Sequence, residues 1–335
     1  MKIGKINIDK PLLLAPMEDV TDISFRLICK ELGADIMYTE FVNAEGIARN
    51  SEKTIRKMHF IEEERAFGIQ LYGGGEISME VATNIANSLE PDIIDINCGC
   101  WVKNVALNGA GAGLLRDLPQ MKKIVLSAIS NTKIPVTVKT RLGWDSNNIN
   151  IIEVAKMLED VGIEALTIHC RTRAHGNFGE VDYSWIEKVK QSVKIPIIVN
   201  GNIYSPNDVK AVFDKTGCDG VMIARGAIDN PWIFKQTKEY LKNGTINSKI
   251  NFLERVNLVL KHLQLSLKYK GEKRGIIELR KHYSGYFKGI PNISKLRNEL
   301  MLCTEQSQIE DKLFQFLKYF KNSEEINLAT LTEAV

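Results

Sequence analysis

The sequence has no apolar run of the roughly 20 residues that a membrane-spanning helix needs. Its start, Met1-Lys2-Ile3-Gly4-Lys5-Ile6-Asn7, has no hydrophobic signal core. A helical membrane protein and a secreted one are both set aside, and the expected compartment is the cytoplasm. Cysteine is sparse and unpatterned, with six residues in 335. Cys98 and Cys100 form C-x-C rather than C-x-x-C, and no second pair completes a zinc site. The expectation is free thiols in a reducing environment and no metal. A strong overall charge is also missing, since 44 Lys and Arg stand against 41 Asp and Glu. That balance hides an asymmetry. Residues 249–322 hold 15 basic and 7 acidic side chains, a net of +8, whereas residues 1–248 hold 29 and 31, a net of −2. Residues 323–335 add three glutamates. A near-neutral body with a basic appendage argues for a polyanionic partner held by the appendage. The plainer alternative is a solvated helical face.

What is present is alternation. Eight apolar, β-rich segments recur at 12–17, 36–41, 67–72, 93–97, 136–141, 165–171, 195–200 and 220–225. Stretches between them, such as 152–161 and 206–215, repeat apolar residues at helical spacing. Ser205-Pro206 and Pro231 mark helix starts with proline at the first position. Near-continuous apolar strands alternating with helices predict a parallel sheet buried on both faces. Eight such units predict an α/β fold, a (β/α)8 TIM barrel, over an open doubly wound sheet. The nearest dinucleotide fingerprint, Gly109-Ala110-Gly111-Ala112-Gly113-Leu114, lacks its last glycine and reads as a tight entry into a helix. From about residue 251 only helical patterns remain, at 252–267, 276–287 and 309–320. The expected organisation is a barrel over 1–245, a small all-α domain over 246–325 and a tail over 326–335.

Parity within the strands separates two faces. One carries Tyr38 and Glu40, Gly68 and Gln70, Asp95 and Asn97, Thr137, Lys139 and Arg141, and Thr167, His169 and Arg171, with Asn200 and Arg225 completing the series. The other is almost wholly aliphatic. So many polar groups at the carboxyl ends of strands would be costly to bury without partners, which argues for a polar ligand in the barrel mouth. Asn200-Gly201-Asn202 and Ala224-Arg225-Gly226 end the last two strands, where such barrels commonly bind phosphate. Lysine and glutamine deeper in the mouth suit the polar edge of a flavin ring. After the fourth strand, Asn97-Cys98-Gly99-Cys100-Trp101 stops the strand sharply and puts a thiol on a loop. Cys98 has the parity of Ile94 and Ile96 and points away from the ligand. In the helical part, residues 268–275 read as a basic loop, and residues 280–288 interleave cations with Tyr283, Tyr286 and Phe287. That mix suits RNA, although the aromatics equally suit a helical core.

Taken together, these residues resemble the tRNA-dihydrouridine synthases, most closely the bacterial DusB type. The matching stretches are Ala15-Pro16-Met17, Gln70, Asp95-Ile96-Asn97-x-Gly99-Cys100, Val136-Thr137-Val138-Lys139-Thr140-Arg141-x-Gly143-Trp144, Leu166-Thr167-Ile168-His169-x-Arg171-Thr172-Arg173, Asn200-Gly201, Arg225 followed by Pro231-Trp232-Ile233-Phe234, and Arg280-Lys281-His282. The resemblance implies an FMN-dependent enzyme that consumes NADPH (or NADH) and reduces the C5=C6 bond of a uridine in the tRNA D-loop. Hydride would pass from reduced FMN to C6, and Cys100, the catalytic residue, would protonate C5. It further implies FMN contacts from Pro16, Met17, Glu18, Gln70, Lys139, His169, Asn200, Gly201, Asn202, Ala224 and Arg225. RNA contacts are implied for Asn97, Arg141, Arg171, Arg173, Lys273, Arg274, Arg280, Lys281 and His282, in a monomer. This chain departs from the family's usual pattern at Cys98, at Trp101, where proline is common, at Asn202, where aspartate is, and at Glu18-Asp19. A second reading is a flavin-dependent dehydrogenase of a free pyrimidine, of the dihydroorotate or dihydropyrimidine type, for which a basic tail has no use. A third is a tRNA-binding chaperone without catalysis, supported only by the Cys100-Trp101 pairing.

Overall fold

The computed structural model describes residues 1–247 and 249–332, with side chains up to residue 319. Two compact units divide the chain: Met1–Ala227 with Trp232–Lys242, and Ile228–Pro231 with the residues from Asn243 onward.

In the first unit, eight strands form β1 (Leu12–Leu14), β2 (Met37–Tyr38), β3 (Phe67–Tyr72), β4 (Ile93–Cys98), β5 (Val136–Arg141), β6 (Ala165–His169), β7 (Ile197–Asn200) and β8 (Gly220–Ile223). All neighbours are parallel and follow the order β1-β8-β7-β6-β5-β4-β3-β2. The ring closes where Leu13 bridges Ile36 and the Leu14 N–H donates to the Ile36 carbonyl at 3.0 Å. This is the expected TIM barrel. A two-stranded antiparallel ribbon, Lys2–Ile3 with Ile6–Asn7, precedes it.

Strand parity works as the sequence implies. Outward residues such as Ile94, Ile96, Cys98, Val138 and Ile168 are buried against the helices. Inward residues Leu13, Ile36, Tyr38, Ile93, Ala165, Ile198 and Met222 pack a separate apolar plug. Each fully buried aliphatic side chain contributes about 1.5–3 kcal/mol. The plug makes the barrel solid below, so only the polar upper layer is left to face a ligand.

Several boundaries differ from expectation. β1 stops at Leu14, because Pro16 has no N–H to offer the ladder. The segment 36–41 splits, and Val42–Asn43 pairs separately with β3. β6 ends at His169 and β8 at Ile223, where Arg225 already opens the helix Arg225–Asp229. Helix Pro206–Thr216 starts as predicted. Ser205 and Asp208 form a reciprocal capping box, and Gly217 ends the helix in the left-handed region (φ +61°). The helix expected at Pro231 begins at Ile233. Gly109–Leu114 leads into a 3-10 turn, Gly111–Arg116.

The second unit is helical among its described residues, with Phe252–Lys270, Glu272–Leu279, a 3-10 turn Arg280–His282, then Tyr283–Tyr286, Ile293–Leu302 and Gln306–Thr332. The basic loop expected at 268–275 is corrected. Helix runs through both sides of it and only Gly271 (φ +75°) breaks the chain. Glu278 pairs with both Lys270 and Arg274 across this break. The aromatics take the core alternative, with Tyr283, Tyr286 and Phe287 at 1%, 1% and 0% exposure. The expected tail from 326 continues the last helix to Thr332, and 333–335 lie outside the described residues. No helix among the described residues is long and apolar enough to cross a membrane.

Candidate active site

The carboxyl ends of the strands surround a cavity of about 420 Å³ in the first unit. Of the residues singled out from sequence, Pro16, Met17, Glu18, Asn97, Cys100, Lys139, Arg141, His169, Arg171, Asn200, Gly201, Asn202, Ala224 and Arg225 line it together. Gln70 is buried and does not line it. Arg173 stands apart, stacked over Trp144 with its guanidinium 4.6 Å from the ring centre. Lys273, Arg274, Arg280, Lys281 and His282 belong to the second unit.

Cys100 sits where β4 has just ended, half-buried, while Cys98 is buried with the outward parity of Ile94 and Ile96. Its loop leans on Gly111. The φ of +55° suits glycine there, and a Cβ would lie 2.9 Å from that of Cys100. The Ala112 N–H donates to the Cys100 carbonyl at 3.0 Å. From below, Asn97 Oδ1 accepts the N–H groups of Gly99 (3.0 Å) and Cys100 (2.9 Å). Burial pushes the thiol above its ordinary range, against the opposing pull of the Val102 N–H, Arg141 and Lys139. At neutral pH the group therefore carries its proton.

The mouth is cationic, and its cations divide by what they hold. The Arg141 guanidinium donates to the Gly99 carbonyl (2.8 Å), the Thr172 carbonyl (3.1 Å) and the Gly176 carbonyl (2.6 Å). Arg171 donates to the carbonyls of Phe178 (3.0 Å) and Gly179 (2.6 Å) and to Asn202 Oδ1 (2.7 Å). Both arginines, expected as RNA contacts, thus staple loops together. Asn202 accepts from a left-handed conformation (φ +48°) that asparagine tolerates. Lys139 and Arg225 form no ion pair among the described residues; Arg225 lies over the Tyr204 ring at 5.6 Å. Desolvation, aided by Arg141, lowers Lys139 to about 8. His169 is held well below its ordinary value by burial and the surrounding cations, so its ring is neutral. Gly201 approaches that ring, where a Cβ at φ +130° would come within 3.2 Å of it.

Glu18 is ion-paired to Lys57, and its carboxylate clusters with those of Asp19 and Glu40 within 4.8 Å. Burial, followed by the Glu18 charge, raises Glu40. Outside the cavity, His282 is buried. At 2% exposure it lies 4.8 Å from the buried His262 ring and packs into the helical core. Arg280 donates to the Cys303 carbonyl at 2.9 Å. Sequence reasoning missed Tyr183, whose hydroxyl donates to the Gly201 carbonyl at 2.6 Å and fixes the turn after β7. No local signal marks it. It also missed that the Trp101 ring covers Gly176, forming a wall of the cavity beside Cys100.

A family model described as dihydrouridine synthase matches residues 13–323. A protein named tRNA-dihydrouridine synthase B from Pseudomonas syringae is 36% identical over 297 residues, covering 89% of this chain and 88% of its own. A probable tRNA-dihydrouridine synthase from Rickettsia conorii is 34% identical over 317 residues, covering 94% and 96%. Among solved structures, morphinone reductase in complex with tetrahydroNAD aligns with a TM-score of 0.55 at 12% identity, over 74% of this chain and 91% of that one. An old yellow enzyme homologue from Zymomonas mobilis aligns at 0.51 and 14%, over 74% and 93%. At such identities the structural likeness speaks to the barrel alone.

Proposed function

Because the chain belongs to the dihydrouridine synthase family, we propose that it reduces the C5=C6 bond of a D-loop uridine in tRNA, with FMN as cofactor and NADPH (or NADH) as reductant. The observation that carries the reading is a protonated, half-buried Cys100 thiol at the rim of a mouth whose deep cation, Lys139, has no ion-pair partner among the described residues.

The residues fit FMN. An unpaired lysine in a partly desolvated mouth favours an anionic or electron-rich ligand. The turn at Gly201 and Asn202, braced by Tyr183, and the exposed Arg225 offer a phosphate its N–H groups and guanidinium. Pro16, Met17, Glu18, Lys139, His169, Asn200 and Ala224 supply the remaining walls, with Gln70 beneath. When bound, reduced FMN supplies the hydride for C6, and NADPH or NADH restores it.

The protein's own part is to hold the uracil and to move one proton. Cys100 gives its proton to C5, leaving a thiolate that Arg141 and Lys139 stabilise. Trp101 and the loop 172–179 wall the base on one side. The target must leave its stack to reach a site sunk in a barrel. The second unit, with its exposed Lys273 and half-buried Lys281, holds the tRNA, and the enzyme acts as a monomer.

Unmodified tRNA incubated with protein, FMN and NADPH tests the reading through dihydrouridine content by mass spectrometry. The wild type forms dihydrouridine, and Cys100→Ala falls by roughly two orders of magnitude or more, the usual worth of a positioned acid. Turnover of free uracil or dihydroorotate without tRNA would favour the small-pyrimidine reading instead.

A further inference from the structure

Beneath the cysteine loop, buried side chains pass hydrogen bonds from one to the next. The Thr137 hydroxyl donates to one Asp95 oxygen at 2.5 Å, and Gln70 Nε2 donates to the other at 2.6 Å. Asn97 Nδ2 donates to Gln70 Oε1 at 2.9 Å. Asn97 Oδ1 then takes the N–H groups of Gly99 and Cys100. Asp95, Gln70 and Thr137 are at most 2% exposed, so water does not stand in for a partner lost there, and Asn97, 8% exposed, ends the path at the cavity.

Direction is built into this chain. A carboxylate only accepts, whereas a carboxamide accepts at one end and donates at the other. An ionised Asp95 therefore turns the Gln70 amino group toward itself and the Gln70 oxygen upward. That oxygen draws the Asn97 amino group down, which leaves the Asn97 oxygen facing the loop. Reversing any amide would set two donors against each other in a buried site, at about 1–3 kcal/mol for each orphaned group. The register supports the path, since Asp95 lies opposite both Gln70 and Thr137 in the sheet.

We infer that Asp95 is a positioning residue for Cys100, acting through Gln70 and Asn97 to fix the two amides that hold the thiol over the mouth. The inference rests on the reading of Cys100 as the proton donor. Burial raises Asp95 to about 6, with Thr137, Gln70 and Lys139 opposing, so it is still the accepting carboxylate at neutral pH. Nothing about Asp95 as an isolated residue signals this role. It does not line the cavity and reaches the loop through two other side chains.

Hydrogen exchange at the Gly99 and Cys100 amides, measured on the whole protein without tRNA, tests it. Asp95→Asn keeps an acceptor toward Gln70, and its two amides stay within about threefold of wild-type protection. Asp95→Leu removes the acceptor, and protection at these two amides falls at least tenfold while the amides of β5 and β6 keep theirs. If Asp95→Leu does not fold, Gln70→Met cuts the same path one link higher and gives the same local loss. Unchanged Gly99 and Cys100 exchange in the apolar variant, loss spread evenly over the barrel, or equal loss in Asp95→Asn would each overturn the inference. Exchange that follows the prediction in a protein whose dihydrouridine yield ignores Cys100→Ala would uphold the positioning and overturn only the functional reading.

Discussion

Lys139 shows how single residues at this site exchange stability for function. Its folded pKa, about 8, lies below the ordinary lysine value because burial penalises the charged form. The penalty is present in full below pH 8 and is relieved as pH rises from about 8 toward 10.5, so this lysine makes the protein more stable across that window. Lys139→Met removes the buried charge at nearly constant shape. Its melting temperature at pH 7 rises by roughly a few degrees, while the FMN retained after gel filtration falls sharply. A lower melting temperature with unchanged FMN would contradict both roles. The site also shows what a residue reveals in isolation. Lys139, His169 and Asn200 are legible because alternation alone puts them inside the barrel. Tyr183 is not, because its partner Gly201 is brought to it by a fold that no local pattern encodes.

At the scale of elements, the loops above the barrel are joined by Arg141. It spans from the cysteine loop at Gly99 to the segment after β6 at Thr172 and Gly176. Arg141→Lys keeps the charge but not the planar fork that serves three carbonyls. Dihydrouridine formation falls on the order of tenfold at saturating tRNA, with FMN content unchanged. A rise in KM alone would show that Arg141 serves binding and not loop geometry. Elements also set the limit of what could be read from sequence. The strands were legible because side chains alternate with a period of two whatever surrounds them. The segment 280–288 was ambiguous, because its aromatics suit either stacking on bases or a helical core, and only the assembled fold decides for the core. Leu279, His282, Tyr283, Tyr286 and Phe287 fall at i, i+3, i+4, i+7 and i+8 and turn inward together despite the 3-10 turn. Gly271 likewise let a basic stretch look like a loop while helix persisted on either side.

The whole molecule pairs a near-neutral barrel with a basic helical part, 15 cations against 7 anions over residues 249–322. Neutralising phosphates releases counterions, so kcat/KM for tRNA falls steeply with salt while reduction of bound flavin by NADPH does not. Lys273→Gln and Lys281→Gln each raise KM for tRNA by roughly three- to tenfold and flatten the salt dependence. Arg280→Gln acts differently, lowering the melting temperature, since its guanidinium holds the Cys303 carbonyl. The central claim joins both parts: tRNA brings the uracil, and Cys100 protonates it over a reduced flavin. Single-turnover oxidation of the reduced flavoprotein by tRNA lacking dihydrouridine tests that claim most directly, in wild type and Cys100→Ala. In the wild type the flavin is oxidised rapidly with one dihydrouridine formed per flavin, and in the variant it stalls, still reduced. A flavin that tRNA leaves reduced but a free pyrimidine oxidises, or a variant as fast as the wild type, would contradict the claim.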